Sequence, residues 1–266
     1  MLTKRRQPDA PDMDSHAVTP PPLFLALLEA PRALTEASAL WPSGRFLRNL
    51  EPGDGHAVMT LPGFMASDNS TRTLRRYLRS WGYGAHPWDL GRNFGVRNGE
   101  HLDDALDERL LKLYQQSGRK VSLVGWSLGG LLALEAARRN SSIVRSVISL
   151  GSPLGDPKAT NLWRLYELLT GQQVTSDEVR ERILQLRQPI ADVPVTAIYS
   201  RSDAVVSWKI AQLPDCDMVE SIGVDASHLG MGFNPAVLYA IADRLRQVEA
   251  DWLPFDNSGV RRFFFR

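Results

Sequence analysis

One stretch constrains this chain more than any other: VSLVGWSLGGLLALEAARR, residues 121–139. A mostly apolar run over 121–124 stops at Gly125, and apolar residues at helical spacing begin again at Leu128. A strand over 120–126 therefore passes into a helix over 128–139 almost without a loop, through Gly125-Trp126-Ser127-Leu128-Gly129. Strand-to-helix joins of this kind belong to parallel sheets, where each crossover helix packs back on the strand before it.

The flanking sequence repeats the alternation. HAVMTLPG (56–63) reads as a strand, and STRTLRRYLRSWGY (70–83) as an amphipathic helix with Leu74, Tyr77, Leu78 and Trp81 on one face. GAHPWDL (84–90) is a weaker strand, because Pro87 removes a ladder donor. GEHLDDALDERLLKLYQQSG (99–118) is a helix with a leucine stripe and a glycine stop. After residue 139 come strands over 144–153, 193–200 and 218–224, with two helices, 160–170 and 176–187, between the first two of them. The last helix spans 234–250, with Asn234 as N-cap and Pro235 at its first position. Residues 23–39 also read as helix, broken near Pro31. The expected fold class is α/β, a mostly parallel central sheet of about six to eight strands with helices on both faces. At 43% hydrophobic residues the chain can fill one sizeable core, and residues 23–266 are expected to form a single domain. Residues 1–22, rich in proline and charge, are expected to be disordered.

The join at Ser127 is suited to a reactive hydroxyl. A side chain at Gly125 or Gly129 would collide with the neighbouring strand or helix, and the turn lifts the serine off the sheet edge. The helix that follows offers unpaired N–H groups to a developing oxyanion. Gly-x-Ser-x-Gly between strand and helix is the nucleophile-elbow pattern. A phosphate-binding loop is excluded by the spacing and by the lack of a lysine.

A serine nucleophile needs a base, and the base an orienting carboxylate. His228 is the single histidine after Ser127, in the small-residue loop GVDASHLGMGFNP. Asp203 follows the C-terminal end of the strand at 193–200, the edge where parallel sheets carry their ligands. Asp225, three residues before His228, is the local rival for the acid. A second oxyanion donor is expected in the loop after the first strand, TLPGFM, placing the N–H groups of Phe64 and Leu128 at the site.

These motifs, in this order, resemble the α/β-hydrolase superfamily in its bacterial esterase and lipase-like branch. LPGFMASDNST is similar to that branch's oxyanion loop, GWSLGG to its elbow, YSRSDAVVSW and SHLGMGFNP to its acid and histidine loops. The resemblance covers roughly residues 55–250. It implies an α/β-hydrolase fold, a Ser127–His228–Asp203 triad and ester hydrolysis through an acyl-enzyme. Pro62 stands before Gly63 where many lipases carry His-Gly, and the helix before residue 55 replaces two leading strands, so a shortened sheet is expected.

The resemblance also implies that the insertion at about 154–190 is a small helical cap. Apolar residues near the motifs are then candidates to line an acyl pocket: Met65, Trp88, Trp126, Trp163, Tyr166 and Met231. The expected substrate is a small-molecule or lipid ester with a neutral acyl group. An acyltransferase using the same residues is the alternative, and a non-catalytic ligand-binding protein on the same scaffold a third. No cofactor or metal is called for. Lys plus Arg number 31 against 30 Asp plus Glu, which gives nucleic acid no electrostatic hold. A lone cysteine, no signal peptide and no membrane span fit a cytoplasmic protein. The aromatic tail RRFFFR is expected to pack on the domain or a partner, and could offer weak peripheral membrane contact.

Overall fold

A computed structural model describes residues 18–95, 101–249 and 251–266. Six parallel strands form one sheet: β1 (Ala57–Leu61), β2 (Gly84–Pro87), β3 (Val121–Trp126), β4 (Val144–Leu150), β5 (Val195–Ser200) and β6 (Val219–Val224). Their order is β2-β1-β3-β4-β5-β6, with every pair parallel. Pro87 is tolerated because β2 is an edge strand and Pro87 its last residue. The chain reverses its direction of sheet-building between β1 and β3, so the loops after these central strands open on one crevice at the C-terminal edge.

Side chains alternate across the sheet. Met59, Leu61, Leu123, Val147, Val195 and Ala197 enter one buried cluster, and Val58, Val124, Ile148, Ile198 and Ile222 the other. The first cluster is closed by α4 (Leu102–Ser117) and α5 (Leu128–Arg139), the second by α2 (Glu29–Arg48), α3 (Arg72–Ser80) and α8 (Pro235–Leu245). The leucine stripe of α4 is buried throughout, and Gly118 ends that helix at φ 65°. Asn234 caps α8 as expected, accepting from the N–H groups of Ala236 and Val237. α8 stops at Leu245 rather than at residue 250, since Gln247 is bonded to both backbone groups of Leu253 and folds the chain back.

The N-terminal region departs most from expectation. The helix breaks at Leu27 and Leu28, between α1 (Leu23–Ala26) and α2. Pro31 lies in the first turn of α2, where its missing N–H costs no intrahelical bond. Of the segment expected to be disordered, residues 1–17 lie outside the described residues, and 18–22 are anchored. Val18 packs on the cluster of Tyr199, Val206 and Ile210, and the Pro21 carbonyl accepts from Asn161. At the other end, only Phe265 of the three tail phenylalanines packs inside, bridging Val224; Phe263 and Phe264 are exposed. Among the described residues, no helix is long and apolar enough to cross a membrane.

Candidate active site

Ser127 has φ 54° and ψ −122°, a backbone conformation that few non-glycine residues adopt. The glycines around it make the turn possible. A Cβ on Gly125 would stand 2.2 Å from the Gly129 carbonyl oxygen, and one on Gly129 would stand 2.5 Å from that of Leu61. Gly130 is as constrained, since its Cβ would fall 1.9 Å from Ser152 Oγ. The elbow is thus wedged between β1 and the loop after β4, and Ser127 is held there by its N–H donating to the Leu150 carbonyl at 2.8 Å.

The loops after β5 and β6 meet beside the elbow, each carrying one of the expected partners. His228 Nδ1 lies 2.7 Å from Asp203 Oδ2, both side chains being buried. Asp203 is itself fixed, because its Oδ1 accepts from the N–H groups of Val205 and Val206, each at 2.8 Å. Burial drives the His228 pKa down, but the charge and hydrogen bond of Asp203, with the charge of Glu29 beyond, outweigh it and hold the ring above its ordinary value. The His228 carbonyl accepts from the Trp126 indole at 3.1 Å, tying the loop after β6 to the residue before Ser127. A Cβ on Gly151 would press against both Asp203 Oδ2 and His228 Nδ1, so this glycine leaves room for the pair. Asp225 turns away and faces Arg266 at the surface. Among the described residues Ser127 Oγ enters no hydrogen bond.

The loop after β1 closes the other side. A Cβ on Gly63 would stand 3.2 Å from that of Ser127, which measures how closely the backbone approaches. Phe64 and Leu128 both line the cavity with Ser127, and among the described residues neither N–H enters a backbone hydrogen bond. Asn93, fully buried, braces this loop. Its Nδ2 donates to the Pro62 carbonyl, and its backbone exchanges bonds with Met65 and Ala66. Nothing in its sequence context, GRNFGV, marks that role.

The cavity, of about 130 Å³, lies between α5 and the insertion after β4. That insertion carries α6 (Trp163–Thr170) and α7 (Asp177–Leu186). Trp163 and Tyr166 line the cavity, and the Tyr166 ring packs 5.2 Å from that of Phe64 across it. Four of the expected lining residues stand elsewhere. Trp126 and Met231 are buried in the cluster on the opposite face of the sheet, because strand alternation points Trp126 away from the cavity. Trp88 is fully buried beneath α4, its indole donating to the Gly91 carbonyl. Met65, at φ 60°, turns out to the surface. In their place α5 and α7 supply Leu131, Leu132, Val179 and Ile183. The wall is not free of charge: Glu135 and Arg182 line it as a bidentate pair, each neutralising the other. In the sequence those two read as ordinary surface positions on their helices.

A family model described as alpha/beta hydrolase fold matches residues 33–218. A mouse protein named serine hydrolase BPHL is 32% identical over 125 residues, a region covering 41% of this chain and 40% of that protein. The chain thus spans less than half the length of this relative. Among solved structures, lipase B of Aspergillus fumigatus is similar with a TM-score of 0.54 at 18% identity, over 74% of this chain and 54% of that one. The mature lipase BlEst2 of Bacillus licheniformis is similar with a TM-score of 0.53 at 16% identity, over 74% and 95%. At such identities these two likenesses concern the fold.

Proposed function

Because the chain belongs to the alpha/beta hydrolase fold family, we propose that it is a serine hydrolase cleaving carboxylic esters of neutral, apolar acids through an acyl-enzyme. One observation carries this: a strained serine lines an apolar cavity beside a buried aspartate–histidine pair. The similarity to a mouse serine hydrolase and to the fold of two lipases supports it.

In this proposal Ser127 Oγ attacks the ester carbonyl while His228 Nε2 takes its proton. Asp203 keeps the other ring nitrogen protonated and stabilises the imidazolium. The oxyanion forms between the N–H groups of Phe64 and Leu128. Collapse breaks the bond to the alcohol, which leaves with the proton from His228. Water, deprotonated by the same ring, then attacks the acyl-Ser127, and Oγ departs as the hydroxyl. The acyl chain lies along Leu131, Trp163 and Ile183, and the paired Glu135 and Arg182 leave no net charge to recruit an anionic acid.

The test is hydrolysis of p-nitrophenyl esters of graded chain length by the wild type and by Ser127→Ala. Release of nitrophenol by the wild type, its loss in the variant and fluorophosphonate labelling of Ser127 are expected. A wild type that neither turns over any of these esters nor takes up the label refutes the proposal.

A further inference from the structure

Three side chains of α2, Glu29, Arg32 and Glu36, stand three and four residues apart and so share one face of the helix. Each reaches a neighbour of the acid or the base. Glu29 Oε1 accepts from the N–H of Ala204 and its Oε2 from the N–H of Leu229, both at 3.0 Å. Arg32 donates to the carbonyl and hydroxyl of Ser202 at 2.5 and 2.7 Å. Glu36 accepts from the N–H of Ser227 at 2.6 Å and from Asn234 Nδ2 at 3.1 Å. The residues directly before and after Asp203, and those directly before and after His228, are therefore all bonded to one helix. Glu29 is 3% exposed and alone bridges the two loops. Gly230 is shaped to this docking, since a Cβ there would fall 1.8 Å from Glu36 Oε2.

Surface helices do not ordinarily bury carboxylates. Burying Glu29 costs solvation, which two backbone donors and Arg32 at 3.8 Å offset. An apolar side chain at position 29 would leave the N–H groups of Ala204 and Leu229 without these acceptors, so the carboxylate is matched to the two loops and not merely to the seam. We infer that Glu29, assisted by Arg32 and Glu36, is a positioning residue that sets the Asp203–His228 geometry from the N-terminal helix. The inference rests on the serine-hydrolase proposal above. Glu29 touches neither substrate nor reacting atoms and acts through the two loops. It also adds negative charge near the imidazole, together with the Asp203 carboxylate that faces the ring directly. Arg32 and Glu36 are the remaining charged groups that α2 presents to these loops.

The experiment compares the wild type with Glu29→Gln and Glu36→Gln by ester hydrolysis across pH and by the rate of fluorophosphonate labelling. Glutamine keeps the size of Glu29 but offers one acceptor where two N–H groups converge, so one loop is released. The expected result for Glu29→Gln is a kcat about 10- to 100-fold lower, with KM within about twofold. Its acidic limb moves to lower pH, because an imidazolium with less negative charge near it loses its proton more easily. Glu36→Gln is expected to lower kcat without moving that limb. Melting temperatures guard against unfolding. If Glu29→Gln does not fold, Arg32→Lys and Glu36→Gln, with native-state hydrogen exchange of the Ala204 and Leu229 amides in the wild type, take its place. Slow exchange and lowered kcat support the inference, while fast exchange or unchanged kcat overturn it. Folded Glu29→Gln with wild-type kcat, labelling rate and pH profile overturns it alone. An unlabelled wild type overturns the serine-hydrolase proposal first, and this inference with it.

Discussion

Replacing Asp203 by asparagine separates the two carboxylates that the sequence leaves in competition for the acid. The magnitude follows from the bonds that Asp203 makes. Its Oδ1 accepts two backbone N–H groups at 2.8 Å, and its Oδ2 faces His228 Nδ1 at 2.7 Å. Asparagine has one oxygen and one NH₂. With the oxygen kept on Val205 and Val206, the NH₂ donates to Nδ1. The ring's proton then moves to Nε2, which can no longer accept from Ser127. Turning the amide over restores the working tautomer but sets an NH₂ against two N–H donors. At about 1–3 kcal/mol for each unsatisfied donor, that costs about 2–6 kcal/mol. The imidazolium also loses its counter-charge. Both effects fall on the transition state, so kcat with p-nitrophenyl butyrate should fall about 10³- to 10⁴-fold. The bonds to Val205 and Val206 survive in the favoured orientation, so the melting temperature should move little. Asp225→Asn removes only an exposed partner of Arg266 and should leave kcat within about twofold. A folded Asp203→Asn enzyme that keeps kcat within tenfold, or an Asp225→Asn enzyme that loses more, refutes this assignment of roles.

Two further outcomes are expected. Gly129→Ala drives a Cβ to 2.5 Å and 2.6 Å from the carbonyl oxygens of Leu61 and Pro62, backbone atoms that can yield only by moving the β1 loop. The variant should lose activity together with several degrees of melting temperature, and a fully active, equally stable protein would be the wrong outcome. Stability should also fall on acidification. His56 is fully buried, with Nδ1 2.5 Å from Asp54 and Nε2 2.8 Å from Ser122, and burial holds its pKa below the ordinary value despite Asp54. A base whose pKa is depressed by folding contributes stability above about pH 6.5 that is lost as the pH drops towards its folded pKa. His228, raised by folding, has the opposite slope, its contribution being full at low pH and lost as pH rises. The difference between wild type and His56→Gln isolates the first effect. The urea midpoint of the wild type should fall more steeply from pH 7.5 to 5.5 than that of the variant, and equal slopes contradict it.

What could be read from the sequence was whatever is periodic or local. β3 and α5 are apolar at their own spacings, so their bounds fall within a residue of the expected ones. The two glycines of the elbow could be argued from crowding, and the crowding is there. Side-chain direction was harder. Trp126 sits next to Ser127, yet the strand's alternation turns it to the opposite face, while Ile183 and Val179 reach the cavity from more than fifty residues away. Proximity along the chain was a poor guide to proximity in space once a crossover intervened.

Residue type was no better a guide by itself. Asp54, His56 and Ser122 reproduce an acid–imidazole–hydroxyl series with hydrogen bonds at both ring nitrogens. It lies at the opposite end of the sheet, at the start of β1 and β3. His56 and Ser122 are fully buried, and Ser122 is bonded onward to Ser146. No carbonyl carbon could approach that hydroxyl. What separates the Ser127 site from this one is placement: the C-terminal edge of the sheet, where the loops of β1, β3, β5 and β6 meet beside a cavity. Placement at that edge is a property of strand order. It is the same strand order that brings β5 beside β6, and so sets the loops of Asp203 and His228 within reach of a single carboxylate on α2. Glu29 could not be singled out from a helix whose charges all look solvated, because its two partners lie 175 and 200 residues further along the chain.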